Sequence, residues 1–104
     1  FTRLATVRDS APTAEAALAF LSDARARAKA LPNASTSLRH VRLLGPVPAA
    51  MAKRAGRYHA QLLIESADRG ALHRFLDAWV PQIEQLPSAR KVRWALDVDP
   101  FDLF

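Results

Sequence analysis

The chain has 104 residues, of which half are apolar, and a formal net charge of +5. This length and composition predict one domain, residues 1–104, with a single core. The absence of cysteine excludes disulfides, thiolate metal sites and cysteine nucleophiles, and it fits a reducing, cytoplasmic location. Three glycines are too few for a phosphate-binding loop. No apolar stretch is long enough to span a bilayer, and no signal peptide opens the chain. Because the sequence begins at Phe1 without Met, we expect a piece of a longer protein.

The first half of the chain predicts a strand, a helix and a second strand. The first strand is Thr2–Asp9, and a break at residues 10–13 leads into an alanine-rich helix that ends at Leu31, with Ser10 or Thr13 as its cap. The second strand is Ser37–Leu44. It should stop there, because the prolines of residues 45–48 lack the donors that a ladder needs. Residues 49–54 are predicted to form a turn or a short helix.

The second half predicts another strand, helix and strand. Arg57–Glu65 alternates apolar and polar residues as a half-buried strand does. Asp68 should cap a helix from Arg69 to about Leu86, which Pro81 should kink or divide into two segments. The fourth strand is Arg90–Asp97.

The order β-α-β-β-α-β predicts an α+β fold, a ferredoxin-like sandwich with two helices on one face of a four-stranded antiparallel sheet. We expect strands 1 and 3 to be central and parallel to each other. Tyr58 and Trp94 should face the helices. The open face of the sheet should then carry a set of polar and basic side chains, namely Arg57, His59, Gln61, Lys91 and Arg93.

Several functions that this fold hosts are disfavoured by the residues. An RNA-recognition motif stacks bases on aromatic side chains of its open face, where this chain should have none on strands 3 and 4. The three histidines, His40, His59 and His73, lie on different predicted elements and have no neighbouring partners for a catalytic triad. Asp97 and Asp99 alone are too few ligands for a cation. An RNA-binding or ribosome-associated protein and a small-molecule regulatory domain stay open as alternatives.

Positive charge is the more informative signal. Three of the ten acidic residues are Asp97, Asp99 and Asp102, so residues 1–96 carry fifteen basic and only seven acidic groups. This excess indicates a polyanionic partner whose phosphates the cations would neutralise without reading bases. The basic residues that should form the patch are Lys53, Arg54 and Arg57, then Arg90, Lys91 and Arg93, with Arg3 on strand 1 and Arg39 and Arg42 at one edge.

Two blocks of sequence make the pattern more specific. The first block contains Leu44-Gly45-Pro46-Val47-Pro48-Ala49, Arg54-Ala55-Gly56-Arg57-Tyr58 and Gln61-Leu62-Leu63, and the second contains Ala89-Arg90-Lys91-Val92-Arg93-Trp94 and Leu96-Asp97-Val98-Asp99-Pro100. The chain thereby resembles, over essentially its whole length, the C-terminal domain of the bacterial primosomal protein N′ family, the PriA replication-restart helicases.

The resemblance implies a non-catalytic DNA- and protein-binding domain that helps to assemble the primosome at stalled forks. Its partners would be branched or single-stranded DNA, the single-stranded-DNA-binding protein and other primosome proteins. The parent would be an ATP-dependent 3′–5′ DNA helicase, with ATP, magnesium and zinc bound elsewhere and no cofactor in this domain. We expect Arg54, Arg57, His59, Lys91 and Arg93 to contact DNA.

The resemblance also implies a pocket for the acidic tail of the single-stranded-DNA-binding protein. The family's arginine near the start of the second helix, and its polar residue one turn later, match Arg69 and His73 here. A guanidinium can bind a terminal carboxylate with two hydrogen bonds, and the spacing of four residues places both side chains on one helix face. Leu72 should supply the apolar side of this pocket.

Overall fold

The computed structural model describes residues 3–31, 39–54 and 56–98, except for the side chains of residue 3 and residues 49–54. The described chain forms a four-stranded antiparallel sheet in the order β2-β3-β1-β4, with two helices. This confirms the predicted α+β, ferredoxin-like arrangement. The elements are β1 Arg3–Ala11, α1 Ala14–Lys29, β2 Val41–Arg54, β3 Arg57–Ser66, α2 Arg69–Glu84, a 3-10 helix Pro87–Lys91 and β4 Arg93–Val98.

Both α-helices begin at side-chain caps that the sequence predicted. The Thr13 hydroxyl accepts a hydrogen bond from the Ala16 amide at 3.1 Å. The Asp68 carboxylate accepts from the amides of Gly70 and Ala71 at 2.9 and 3.3 Å. These oxygens satisfy amides that have no partner inside the helix, so the local sequence determines where each helix starts.

The two central strands, β1 and β3, are antiparallel, so the prediction that they run parallel is wrong. In their register Val7 lies opposite Leu62, and on its other side Val7 lies opposite Leu96 of β4. The α1 crossover makes β1 and β2 parallel, and β3 then returns antiparallel to β2 and therefore to β1 as well. The central position of the two strands was predicted correctly.

Strand β2 is longer than the sequence indicated and continues through its prolines to Arg54. The ladder to β3 shifts register between Leu44 and Val47, which is a bulge, and again between Pro48 and Lys53. Because β2 is an edge strand, it can hold prolines that a central strand excludes. Gly45 makes the bulge possible with φ of 113°, and its carbonyl accepts a hydrogen bond from the Arg25 guanidinium.

Helix α2 and the segment after it also depart from the sequence prediction. The helix continues through Pro81 to Glu84, so no second segment begins at the proline. Residues 87–91 then form a 3-10 helix, and β4 starts only at Arg93. Arg90 and Lys91 therefore precede the strand instead of lying on it. Strand β1, in turn, extends through Ser10 to Ala11, where a break was expected.

The core lies between the helices and the inner face of the sheet. Trp79 is fully buried there, and its indole N–H donates to the Ala24 carbonyl at 2.8 Å, which joins α2 to α1. Trp79 also stacks on Phe75 with ring centroids 5.0 Å apart. The largest fully buried side chains are Trp79, Phe20, Phe75, Leu21, Leu62, Ile64, Leu72, Ile83 and Val7. Within the described ranges, neither helix has the length and apolar character needed to cross a membrane.

One carboxyl group is buried in this apolar layer. Asp9 is 3% exposed, and it lies between Ala60 and Trp94 in the sheet register. Neither of its carboxylate oxygens has a hydrogen-bond partner in the described part of the chain. Burial therefore raises the pKa of Asp9 from 3.8 to about 7, and the nearby Ala60 amide, which does not reach hydrogen-bond geometry, offsets this rise only partly.

Asp9 makes the stability of the domain depend on pH. Between pH 3.8 and about 7 the folded chain holds a proton on Asp9 that the unfolded chain has lost, so the free energy of unfolding falls as the pH rises. We expect Asp9→Asn to remove this dependence and to raise the free energy of unfolding above pH 7 by roughly 2–4 kcal/mol. Urea denaturation of both proteins at pH values from 5 to 8 measures the difference.

The comparison of the two proteins isolates Asp9, because all other titrating groups are common to both. The exposed Asp77→Asn variant is the matched control, and its stability should run parallel to that of the wild type over this pH range. A constant difference between wild type and Asp9→Asn from pH 5 to 8 would show that the buried carboxyl does not titrate there.

Candidate nucleic-acid interface and peptide groove

The open face of the sheet has a cationic end, where β1 ends and β3 and β4 begin. Ser10 lies between His59 and Arg93 in the register of the three strands. The Cβ atom of each neighbour is therefore about 5 Å from that of Ser10. Arg57 reaches the same point, because its Nε donates to the Ser10 hydroxyl at 3.1 Å and its Nη2 to the Ser10 carbonyl at 2.8 Å. We call Ser10, Arg57, His59 and Arg93 the cationic corner.

The structure thus brings together three of the five residues that were predicted to bind DNA. Of the other two, Lys91 is exposed at the end of the 3-10 helix, two residues before Arg93. The prediction had placed it on the fourth strand. The backbone of Arg54 pairs with that of Arg57 across the β2–β3 ladder. The side chain of Arg54 lies outside the described part of the chain.

Basic residues elsewhere on the open face are matched by carboxylates. Arg8 forms an ion pair with Asp97, and Arg42 forms one with Glu65 at 3.1 Å. Arg57 and Arg93 make no ion pair with any carboxylate that the structure describes. Among the side chains of this face that the structure describes, the uncompensated positive charge is therefore concentrated at the cationic corner.

Strand β1 contributes a described arginine to the open face, Arg8, that the expected patch did not include. The backbone of Arg3 pairs with that of Ser66, and its side chain lies outside the described part of the chain, so its expected place in the patch stays a prediction. The alternation of Arg8 with the buried Val7 is a signal from which its position could have been predicted. Arg39, expected at the edge of the patch, is exposed in the turn before β2.

The aromatic side chains near the cationic corner face the helices. Trp94 packs against Phe20 of α1 with ring centroids 5.7 Å apart, and Tyr58 lies in the same inward register, opposite Ala11. The open face of the described strands therefore offers no aromatic ring for stacking bases. The geometry is suited to contacts with phosphates.

A second surface is an apolar groove between α2 and the edge strand β4, with a volume of about 510 Å³. We call it the α2–β4 groove, and its walls are formed by His73, Leu76, Asp77, Val80, Pro81, Leu96 and Val98. Arg69 is the first residue of α2 and is exposed one turn before His73. The His73 imidazole thus lies at one end of a mostly apolar recess, and Arg69 precedes it by one turn of the same helix.

The groove agrees only in part with the predicted peptide pocket. Arg69 and His73 lie on one helix face as predicted. Leu72, however, is fully buried in the core and lines nothing outside. The apolar wall comes from Val80 on the helix and Val98 on the strand, which sequence reasoning missed because only the packing of α2 beside β4 brings them together.

The three histidines do not form a common site. His40 precedes β2, His59 lies in the cationic corner and His73 lies in the α2–β4 groove. Among the residues that the structure describes, no three histidine or acidic side chains are grouped so that they could hold a metal ion.

Comparisons with known proteins assign the chain to a family. Residues 1–101 match the family described as Primosomal protein N C-terminal domain. The Replication restart protein PriA of Haemophilus influenzae (strain ATCC 51907 / DSM 11121 / KW20 / Rd) is 39% identical over 69 residues, which are 66% of this chain and 9% of that protein. The match therefore spans less than a tenth of the length of this relative.

The likeness to one solved structure supports the fold and nothing further. The De novo designed protein Foldit4 superposes with a TM-score of 0.63 over 95% of this chain and 97% of its own, at 11% sequence identity. Since the family match covers nearly the whole sequence and both motif blocks lie inside it, the chain belongs to the family of primosomal protein N C-terminal domains.

Proposed function

We propose that this chain is the non-catalytic, DNA- and protein-binding C-terminal domain of a cytoplasmic replication-restart helicase. Its membership of the primosomal protein N family supports the role in replication restart. In this proposal the parent protein is an ATP-dependent 3′–5′ helicase that binds ATP, magnesium and zinc in other domains, and this domain needs no cofactor. The cationic corner is the observation that carries the DNA-binding part.

The corner is suited to a DNA backbone rather than to particular bases. Arg57 is held by two hydrogen bonds to Ser10, so its guanidinium is oriented before any ligand arrives. Arg93 is exposed on the other side of Ser10, and Lys91 is exposed two residues before Arg93, so both can neutralise neighbouring phosphates. Phosphate contacts position a protein on DNA without reading its sequence, which fits a factor that acts at forks of any sequence.

The α2–β4 groove carries the protein-binding part. An acidic peptide that ends in an apolar residue needs a cation for its carboxylates and a recess for its last side chain. Arg69 supplies the cation one turn before the groove, the His73 side chain can form a further hydrogen bond, and the apolar walls of the groove supply the recess. In the proposed function this peptide is the tail of the single-stranded-DNA-binding protein.

For the DNA surface we expect the double variant Lys91→Gln/Arg93→Gln to weaken binding to forked DNA about tenfold. The slope of log affinity against log salt should fall by about one for each lost phosphate contact. The loss should be the same for forks of different base sequence. Fluorescence anisotropy at several salt concentrations measures both quantities. Arg57 is left in place because it connects β3 to β1.

The matched control is Arg27→Gln/Lys29→Gln, which removes the same charge from the exposed side of α1. This control should lower the affinity for forked DNA less than Lys91→Gln/Arg93→Gln does, and it should leave most of the slope of log affinity against log salt unchanged. Equal losses in the two double variants would mean that overall charge, and not the cationic corner, governs DNA binding.

For the peptide groove we expect Arg69→Ala to weaken binding of an acidic peptide with a terminal apolar residue roughly tenfold, because a charge-assisted hydrogen bond contributes about 1.5 kcal/mol or more. Arg69→Lys should recover only part of the affinity, since lysine keeps the charge but not the paired hydrogen bonds. Binding to forked DNA should be unchanged. Isothermal titration with each variant gives the affinities.

Arg74→Ala is the control, because Arg74 is an exposed arginine on the same helix but turned away from Arg69 by about 140°. Its peptide affinity should equal that of the wild type. If Arg69→Ala and Arg74→Ala bind the peptide equally, the groove beside Arg69 is not the peptide site.

A further inference from the structure

The α2–β4 groove opens where strand β4 has no neighbour, so nothing in the described chain covers its apolar walls. Leu96 and Val98 line it from the strand, and Val98 is 39% exposed although its register faces the helices. An exposed apolar recess of this kind marks a surface that a partner covers. Residues 99–104 directly follow Val98, and they lie outside the part of the chain that the structure describes.

The composition of this last segment matches the groove. Its sequence, Asp-Pro-Phe-Asp-Leu-Phe, has two carboxylates, three large apolar side chains and no basic residue. The groove offers apolar walls for these side chains, and Arg69 lies on the helix turn that precedes it. We infer that the chain's own residues 99–104 bind in the α2–β4 groove and cover its apolar walls.

The topology brings the segment to the end of the groove where α2 begins. Helix α2 and strand β4 are consecutive and run in opposite directions, so the end of β4 lies beside the first turns of α2, where Arg69 and His73 are. The groove extends along α2 from His73 to Pro81, which is about 12 Å at the helical rise of 1.5 Å per residue. Six extended residues reach about 20 Å, and an Asp-Pro pair favours the turn that directs them back into the groove.

The charges of the groove determine how the segment lies in it. Asp77 lines the middle of the groove and repels a carboxylate there. Asp99 is adjacent in sequence to Val98, so it is placed at the end of the groove that is nearest to Arg69. Phe101, Leu103 or both then fill the apolar part between Val80 and the strand.

This arrangement has a consequence that rests on the proposed function. An acidic peptide with a terminal apolar residue uses the same arginine, Arg69, and the same recess, so the chain's own segment competes with it. The segment would then lower the apparent affinity for the external peptide until the peptide displaces it.

The absence of cysteine allows a direct test in the full 104-residue chain. A spin label on Phe104→Cys should broaden the NMR signals of α2 from His73 to Pro81 and leave those of the cationic corner unchanged. The same label combined with Phe101→Ser/Leu103→Ser should lose this broadening, because the apolar anchors are gone. A label on Ala19→Cys, at an exposed site of α1, serves as the control.

A second measurement tests the competition. A synthetic peptide of three aspartates and two apolar residues, with a free carboxylate, is titrated into the wild type and into Phe101→Ser/Leu103→Ser/Phe104→Ser. We expect the affinity to rise at least threefold in the variant. Leu44→Ser, which removes an exposed apolar side chain from the open face, should leave the affinity unchanged.

The outcomes separate the two proposals. If the label on residue 104 broadens the same signals with and without the two serine substitutions, or broadens none, the segment does not bind in the groove. If broadening is seen but neither protein binds the peptide, the segment occupies the groove while the proposed peptide function is wrong. An equal peptide affinity in both proteins overturns the competition.

Discussion

The register between the two central strands is the constraint on which the rest of the structure depends. Val7 and Leu62 face each other with no exposed surface, and they fix which residues of β1 and β3 point to the helices. A slip of one residue would move the apolar set to solvent and the arginines into the core. The same register places Ser10 beside His59 and Arg93 on the other face of the sheet. The core and the cationic corner therefore depend on the same strand pairing. The hydrogen bonds from Arg57 to Ser10 reinforce it at the end of the sheet.

Strand β4 contributes to both candidate surfaces, since its side chains alternate across the sheet. Arg93 points to the open face, and Leu96 and Val98 belong to the inward register that borders α2. DNA on the open face and a peptide in the α2–β4 groove would therefore lie on opposite sides of the same short strand. If both proposed surfaces bind their ligands, this arrangement would allow one small domain to hold both at once, without overlap between their contacts.

The end of β1 combines a favourable and an unfavourable polar residue. Ser10 faces outward and accepts two hydrogen bonds from the Arg57 guanidinium. Its neighbour Asp9 faces inward, and its carboxylate has no hydrogen-bond partner in the described chain. Burial raises the pKa of Asp9 to about 7, so near neutral pH its ionisation opposes folding directly behind the cationic corner. The indole of Trp79, bonded to the Ala24 carbonyl, and the packing of Phe20 on Trp94 stabilise the same core.

Local chemistry in the sequence determined the helices, their caps and the alternation of β3, because a cap or a two-residue period involves only neighbours along the chain. It also determined the fold class, and its two motif blocks predicted the family. Only the tertiary structure decided the path of β2 through its prolines, since an edge strand with a bulge at Gly45 tolerates what a central strand excludes. It likewise decided that Arg8 is paired with Asp97, whereas Arg93 has no ion pair with a carboxylate in the described residues. It also decided that Val80 and Val98 form one groove, because these contacts join residues far apart in sequence.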